Sequence, residues 1–228
     1  MKDQITTDFA PLLDQVAATA PDLLFTCSYL SDSIALVGAI NAWKYQPKMV
    51  GASMIGPQNA SVKTALGPLL NGFVNYEYWL PVPKMMFPGV MAFMEKYQSQ
   101  AAAAGIDPRG YCMAPQAYAQ MQVVEQAVTA TGSLEDEVLT AYTRQATFNT
   151  VMGKVKFGER GEWTHPRLVE VQFQNIASNE VSEFKEPSKQ VVVAPREFAS
   201  GNLIYPFAKA NKSSGLRGLT RNKFAPIL

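Results

Sequence analysis

The sequence predicts an α/β fold built on a doubly wound parallel sheet, and three observations carry that expectation. Over residues 1–80, short apolar runs alternate with helix-length amphipathic stripes. Parallel neighbours cannot be joined by a tight turn, so a helix-length crossover between strands is what the chain must supply, and does. Finally, the run "FTCSYLSDSIAL", residues 25–36, ends a strand at Ser28-Tyr29 directly before a helix start. In open α/β sheets that crevice is where ligands sit, because helix N–H groups and strand-end side chains converge there.

Each element has a local reason. Between Asp8 and Ala20, the apolar Phe9, Leu12, Leu13 and Val16 share one helical face, with Thr7 or Asp8 as N-cap and Pro21 as the stop. A strand over 22–27, a helix over 32–43, a strand over 48–52, a helix over 60–70 and a strand over 73–79 follow. In "YWLPVPKMMFPG", Pro81, Pro83 and Pro88 break both helix and central strand, which makes this stretch a connector and a boundary. Beyond it, Val90, Phe93, Met94, Tyr97 and Ala101 form a helical stripe ending at Gly105, and another helix runs over 115–131. A third begins near Ser133, whose hydroxyl caps it while Glu135 and Asp136 favour its positive end. After Phe148 the period changes to alternation: Val151, Gly153, Val155 and Phe157 share one side of "VMGKVKF", and Val169, Val171 and Phe173 one side of "LVEVQFQ". With "GERGEW" supplying turn residues, these two strands are expected to pair antiparallel.

Composition limits the chemistry. The 228 residues are 47% hydrophobic and 17% charged, with a formal charge of +1, enough apolar material for one sizeable core or two modest ones. No nucleic-acid partner is expected, since binding a phosphate backbone needs a strong local excess of Lys and Arg. The basic bias is terminal: Lys209, Lys212, Arg217, Arg221 and Lys223 lie among Ser and Gly in 208–228, read as a solvated, flexible tail. No run approaches the roughly 20 apolar residues of a membrane span, so no stable membrane insertion is expected, and "MKDQITTDFAPLL" carries no secretory signal. Cys27 and Cys112 have no CxxC partner and are read as ordinary buried or half-buried thiols. His165, the single histidine, belongs to a surface loop. Glu135, Asp136 and Glu137 make a solvated first turn, not a metal site. The chain has no GxSxG, GxGxxG, P-loop or HExxH. No catalytic residue, metal or cofactor is therefore assigned, and no enzyme activity is expected.

A binding reading remains, and a resemblance supports it. The stretch "TTDFAPLLDQVAATAPDLLFTCSYLSDSIALVGAINAWKYQPKMVG" closely resembles the second-lobe region of type I periplasmic solute-binding proteins of branched-chain amino acid ABC transporters. It shares an acid-Phe-x-x-Leu helix, a Pro-Asp strand entry, a Tyr at the strand end and a Pro-Lys-x-x-Gly strand. "TVMGKVKFGERGEW", "RLVEVQFQNI" and "SGNLIYP" resemble the family's closing hairpin and C-terminal segment, so the likeness covers roughly residues 5–207. It implies the periplasmic-binding-protein type I fold, here incomplete, with the N-terminal portion of the family absent. Residues 1–80 would be part of the second lobe, 81–150 the helical part of the first, and 151–207 the hairpin and lobe-crossing segment. Helices over 88–146 would then expose apolar surface that normally faces a first-lobe sheet.

The resemblance implies a function and a site. Two lobes would close around a small ligand, an amino acid or an amine-free analogue, and an ABC permease would be the partner of a periplasmic or extracytoplasmic full-length protein. The alternative is a cytoplasmic amide- or small-acid-sensing regulator on the same fold. Tyr29 matches a ligand-holding tyrosine of the family, with Ser28, Leu30 and Ser31 beside it. Ser53 stands where leucine/isoleucine/valine-binding relatives carry a glutamate for the ligand ammonium group. A hydroxyl offers only a neutral hydrogen bond, so the α-amino group of the ligand is in question. Tyr111 and Met113, at a helix entry, are candidates to reach the cleft, with core packing the favoured reading for both, and Trp79 lies at the expected hinge.

Overall fold

The computed structural model describes residues 8–165 and 167–211. In chain order the elements are α1 (Ala10–Ala17), β1 (Leu23–Ser28), α2 (Leu30–Ala42), β2 (Met49–Met54), α3 (Ala60–Leu66) and β3 (Val74–Glu77). Then come α4 (Val90–Ala104), α5 (Ala114–Thr131), α6 (Asp136–Gln145), β4 (Thr147–Thr150), β5 (Gly153–Lys156), β6 (Val169–Phe173), β7 (Gln190–Ala194) and α7 (Phe207–Asn211).

The parallel reading of the first 80 residues holds: β1, β2 and β3 are parallel neighbours, with Leu23 beside Met49 and Gly51 beside Val74. β6 and β7 extend the sheet antiparallel, in the order β1-β2-β3-β6-β7. One expected pairing is corrected. "VMGKVKF" does not pair with "LVEVQFQ"; β5 pairs with β4 in a hairpin of its own, turning at Val151-Met152, while β6 joins the main sheet between β3 and β7. The residue alternation was sound, since Val169, Val171 and Phe173 are all fully buried. Alternation states which face is apolar and leaves the partner open.

Boundaries shift for local reasons. α2 begins two residues earlier than expected, at Leu30, because Tyr29 takes the extended N-cap conformation and the Ser33 hydroxyl turns back to its carbonyl. α3 stops at Leu66, where Gly67 has φ +50° and Pro68 has no N–H to donate, and a 3₁₀ turn over Gly67–Leu70 completes the segment. The Asp8 carboxylate accepts from the Ala10 amide at the start of α1, while Thr7 lies outside the described residues. Ser133 accepts from the Glu135 amide just before α6. The expected tail is also moved: Ala208–Asn211 belong to α7, with Phe207 and Ala210 buried, and residues from 212 onward lie outside the described residues.

Two main cores result. One face of the sheet packs Leu24, Val50 and Phe73 against Leu36, Val37 and Ile40 of α2 and Val62 and Leu66 of α3. Each fully buried aliphatic side chain contributes about 1.5–3 kcal/mol, so packing rather than propensity holds α2, which contains Gly38. The second core gathers Trp79, Met85, Val90, Met94 and Tyr111 with Val171 and Val192. On the other face of β1, Leu23 and Phe25 are open, Phe25 being 62% exposed. Met91, Tyr118, Met121 and Val124 on α4 and α5 are exposed too. Among the described residues, no helix is long and apolar enough to cross a membrane.

Candidate functional site

The candidate wall lies at the C-terminal ends of β1 and β2. Parallel register puts Cys27 beside Ser53 and Ser28 beside Met54, so Cys27 and Ser53 leave the same face of the sheet. Tyr29 follows immediately and is 68% exposed; Leu30, Ser31 and Ser53 are exposed as well. Ser28 faces inward by comparison. Its hydroxyl hydrogen-bonds the buried Ser33 hydroxyl at 2.8 Å, and Ser33 in turn donates to the Tyr29 carbonyl at 2.5 Å. Tyr29 is therefore a solvent-facing ring on a backbone fixed from beneath.

The sixth candidate stands apart. Tyr111 is only 6% exposed, in the second core, with its ring edge-on to Trp79 at 5.2 Å and the Arg109 guanidinium 4.8 Å from its centroid. The structure gathers Tyr29, Leu30, Ser31, Ser53 and the supporting Ser28, and leaves Tyr111 outside that group. Met113 is exposed, and Trp79 is buried with its indole N–H donating to the Met85 carbonyl at 2.8 Å. A cavity of about 490 Å³ opens between α4 and α5 beside Phe93, Tyr97 and Tyr118; none of the six candidates lines it.

Several residues that matter to this wall carried no expectation. Gly56, in the 3₁₀ turn Gly56–Gln58 after β2, nests against α2: a Cβ there would collide with the Ser33 side chain and lie 3.1 Å from the Tyr29 carbonyl oxygen. The Ile55 amide donates to the Ser28 carbonyl at 2.9 Å. The turn is held from behind. Gln58 is buried, donates to the Tyr76 carbonyl at 3.1 Å and accepts from the Cys112 thiol at 3.2 Å, and its own carbonyl accepts from Arg109 Nη2 at 3.0 Å.

Arg109 belongs to a buried charge cluster. The Glu77 carboxylate, at the end of β3, accepts from Lys63 Nζ at 2.5 Å and Arg109 Nη2 at 3.1 Å through the same oxygen, Oε1. Gln190 on β7 adds a 3.3 Å bond to that oxygen and accepts from Arg109 Nη1. All three charged side chains are essentially inaccessible to water. Burial, and then the nearby Arg109 cation, pull the Lys63 ammonium down to about 7, with Glu77 opposing. Asp107 anchors the same segment: its carboxylate accepts the amides of Ala60 at 2.6 Å, Arg109 at 2.8 Å and Gly110 at 2.9 Å. Burial alone would raise that carboxyl, but these three amides hold it below its ordinary value.

A sequence signal for the cluster existed. Phe73, Asn75, Glu77 and Trp79 share one side of β3 and its extension, and all are buried. A carboxylate in an otherwise water-excluded row requires cationic partners. Cys27 is a correction of another kind: expected to be at least half buried, it is exposed on the open face of β1. Cys112 is intermediate, and burial pushes its thiol up to about 11. His165, exposed and hydrogen-bonded to the Thr164 hydroxyl at 3.0 Å, sits in a surface loop. Among the described residues, no three His, Cys, Asp or Glu side chains converge to hold a metal ion.

Comparison with known proteins places this geometry. The sequence profile of a family described as periplasmic binding protein matches residues 3–174. No curated protein sequence matches significantly. Among solved structures, a branched chain amino acid ABC transporter periplasmic ligand-binding protein from Burkholderia xenovorans superposes with a TM-score of 0.59 at 18% identity, covering 86% of this chain and 50% of its own. A leucine binding protein, LivK, from Thermotoga maritima gives 0.57 at 18%, covering 73% and 45%. A solute binding protein from R. palustris, in complex with benzoate, gives 0.56 at 17%, covering 85% and 50%. These likenesses show the fold, the type I arrangement, and the chain spans about half the length of each of these structures.

Proposed function

Because the chain belongs to the periplasmic binding protein family, we propose that it contributes one wall of a ligand cleft in the solute-binding component of an ABC importer, acting outside the cytoplasm and delivering its ligand to a membrane permease. The observation that carries this reading is that exposed Tyr29, directly after β1, and exposed Ser53, paired with Cys27 near the end of β2, both lie at the C-terminal ends of adjacent parallel strands. That is the position at which open α/β sheets bind small molecules. In this reading, lobe closure on the ligand is the working step.

The ligand is a small carboxylic acid with an apolar body. Tyr29 offers a ring face and a hydroxyl, Leu30 an apolar edge, and Ser31 and Ser53 neutral hydroxyls. None of these five positions, Ser28 included, carries a carboxylate to pair with an ammonium group. That favours an amine-free acid over an α-amino acid, and both classes occur among the structural neighbours, as benzoate in one and as isoleucine in another.

Calorimetric titration of the full natural chain with benzoate and with leucine tests the reading. Binding of benzoate, weakened at least tenfold by Tyr29→Ala, is the expected result. Tight leucine binding would restore the amino acid and require another group for its ammonium. If neither ligand binds, or if Tyr29→Ala and Ser53→Ala bind as well as the parent, this wall is not the site.

A further inference from the structure

Arg109 reaches the candidate wall from far along the chain. It lies between α4 and α5, and besides a long 3.5 Å bond to the Phe184 carbonyl its guanidinium spans three further segments: Glu77 at the end of β3, Gln190 on β7, and the carbonyl of Gln58 in the turn that follows β2. That turn presses Gly56 against the Tyr29 carbonyl and the Ser33 side chain. A planar, five-donor fork suits this task, because a lysine at the same place is a point charge that cannot reach all three acceptors.

We propose that Arg109 is a positioning residue for ligand binding: by holding the Gln58 carbonyl while anchored on Glu77, it fixes the Gly56–Gln58 turn against Tyr29 and so sets the shape of the wall. This rests on the reading of Tyr29 and Ser53 as that wall. Cys112, donating to Gln58 Oε1, and Asp107, capping α3 through the Ala60 amide, dock the same 107–112 segment on the same turn and helix. The segment therefore acts as a brace rather than as a passing loop. A mere charge-balancing role would make Arg109 equivalent to Lys63, since both cations bond the one carboxylate oxygen. Only Arg109 also holds the turn.

That asymmetry supplies the test. Lys63→Met and Arg109→Met each remove one of the two cations and leave a one-to-one ion pair on Glu77. In the full natural chain, titrated with benzoate and with leucine, Arg109→Met is expected to weaken whichever probe binds by about tenfold or more, and Lys63→Met by less than about twofold, at comparable thermal midpoints. Equal affinities in the two variants would overturn the proposal. Arg109→Lys decides if Arg109→Met fails to fold: continued weak binding supports the brace, and restored binding shows that charge alone suffices. Amide hydrogen exchange over residues 55–59 needs no ligand. Exchange about tenfold faster in the Arg109 variant, and unchanged in Lys63→Met, is expected; identical protection in both variants overturns the positioning role. A parent chain that binds neither probe yet shows this exchange pattern would retain the brace and remove the ligand-wall reading.

Discussion

At the scale of single residues, the two cysteines show how packing decides reactivity. Cys27 lies on the open face of β1 and is exposed, whereas Cys112 is half-buried, donates to Gln58 Oε1, and has its thiol pushed up to about 11 by burial. The thiolate is the reactive species, so a raised value suppresses reaction at neutral pH. An aromatic disulfide reagent at pH 8 is expected to modify Cys27 in the folded protein and Cys112 only after denaturation. Prompt loss of both thiols without unfolding would contradict this placement. Nothing in either cysteine's immediate sequence distinguishes them, because the difference comes from what packs against each: β1 leaves Cys27 open, whereas the Gln58 turn covers Cys112.

At the scale of elements, the meeting of α2 with the turn after β2 depends on the absence of a side chain. Gly56 has ordinary backbone angles for a 3₁₀ turn but no room for a Cβ, which would strike Ser33. Ser33 cannot simply withdraw, since its hydroxyl bonds both Ser28 and the Tyr29 carbonyl. Gly56→Ala is therefore expected to cost about 1–3 kcal/mol, the usual range for overpacking, read as a lower urea midpoint with an unchanged slope. Gly56→Ala combined with Ser33→Gly removes both the Ser33 Cβ and its hydroxyl, the two atoms the new methyl would strike, and should recover part of the loss. Strictly additive losses would show that the two residues do not compete for this space.

At the scale of the whole molecule, the Lys63–Glu77–Arg109 cluster joins α3, β3, the segment before α5 and β7 into one unit. Among the described residues, Glu77 Oε2 and Arg109 Nε have no hydrogen-bond partner, so the cluster is electrostatically tight without being fully satisfied there. Glu77→Gln leaves two buried cations facing an amide, and about 3–5 kcal/mol of destabilisation is expected, the range for a broken buried pair. Lys63 makes stability depend on pH. Its folded-state value, near 7, lies below its ordinary 10.5, so between those values the unfolded chain carries a proton that the folded chain has released. Stability from this group therefore rises with pH above 7, and its burial penalty is fully present below 7. The difference in unfolding free energy between the parent and Lys63→Met should shift in the parent's favour from pH 7 to 9. A difference independent of pH in that window would show that Lys63 does not titrate there.

The sequence by itself determined the local order of the first 80 residues, the family, and the strand-end position of Tyr29 and Ser53. Those features are written in short-range terms: the period of apolar residues, the prolines, and the motif spacing around 25–53. Tertiary structure alone decided which strand β5 pairs with and the exposure of Cys27, and it put Tyr111 in the core, the favoured of its two readings. The partner of β6 lies far back along the chain, Val171 beside Asn75 of β3, and it is this distant pairing that leaves β5 to its local hairpin with β4. The charge cluster lies between these cases. Its carboxylate is the one charged group in the buried row of β3, while no local pattern marks Lys63 or Arg109 as its partners; folding alone brings both to the same oxygen.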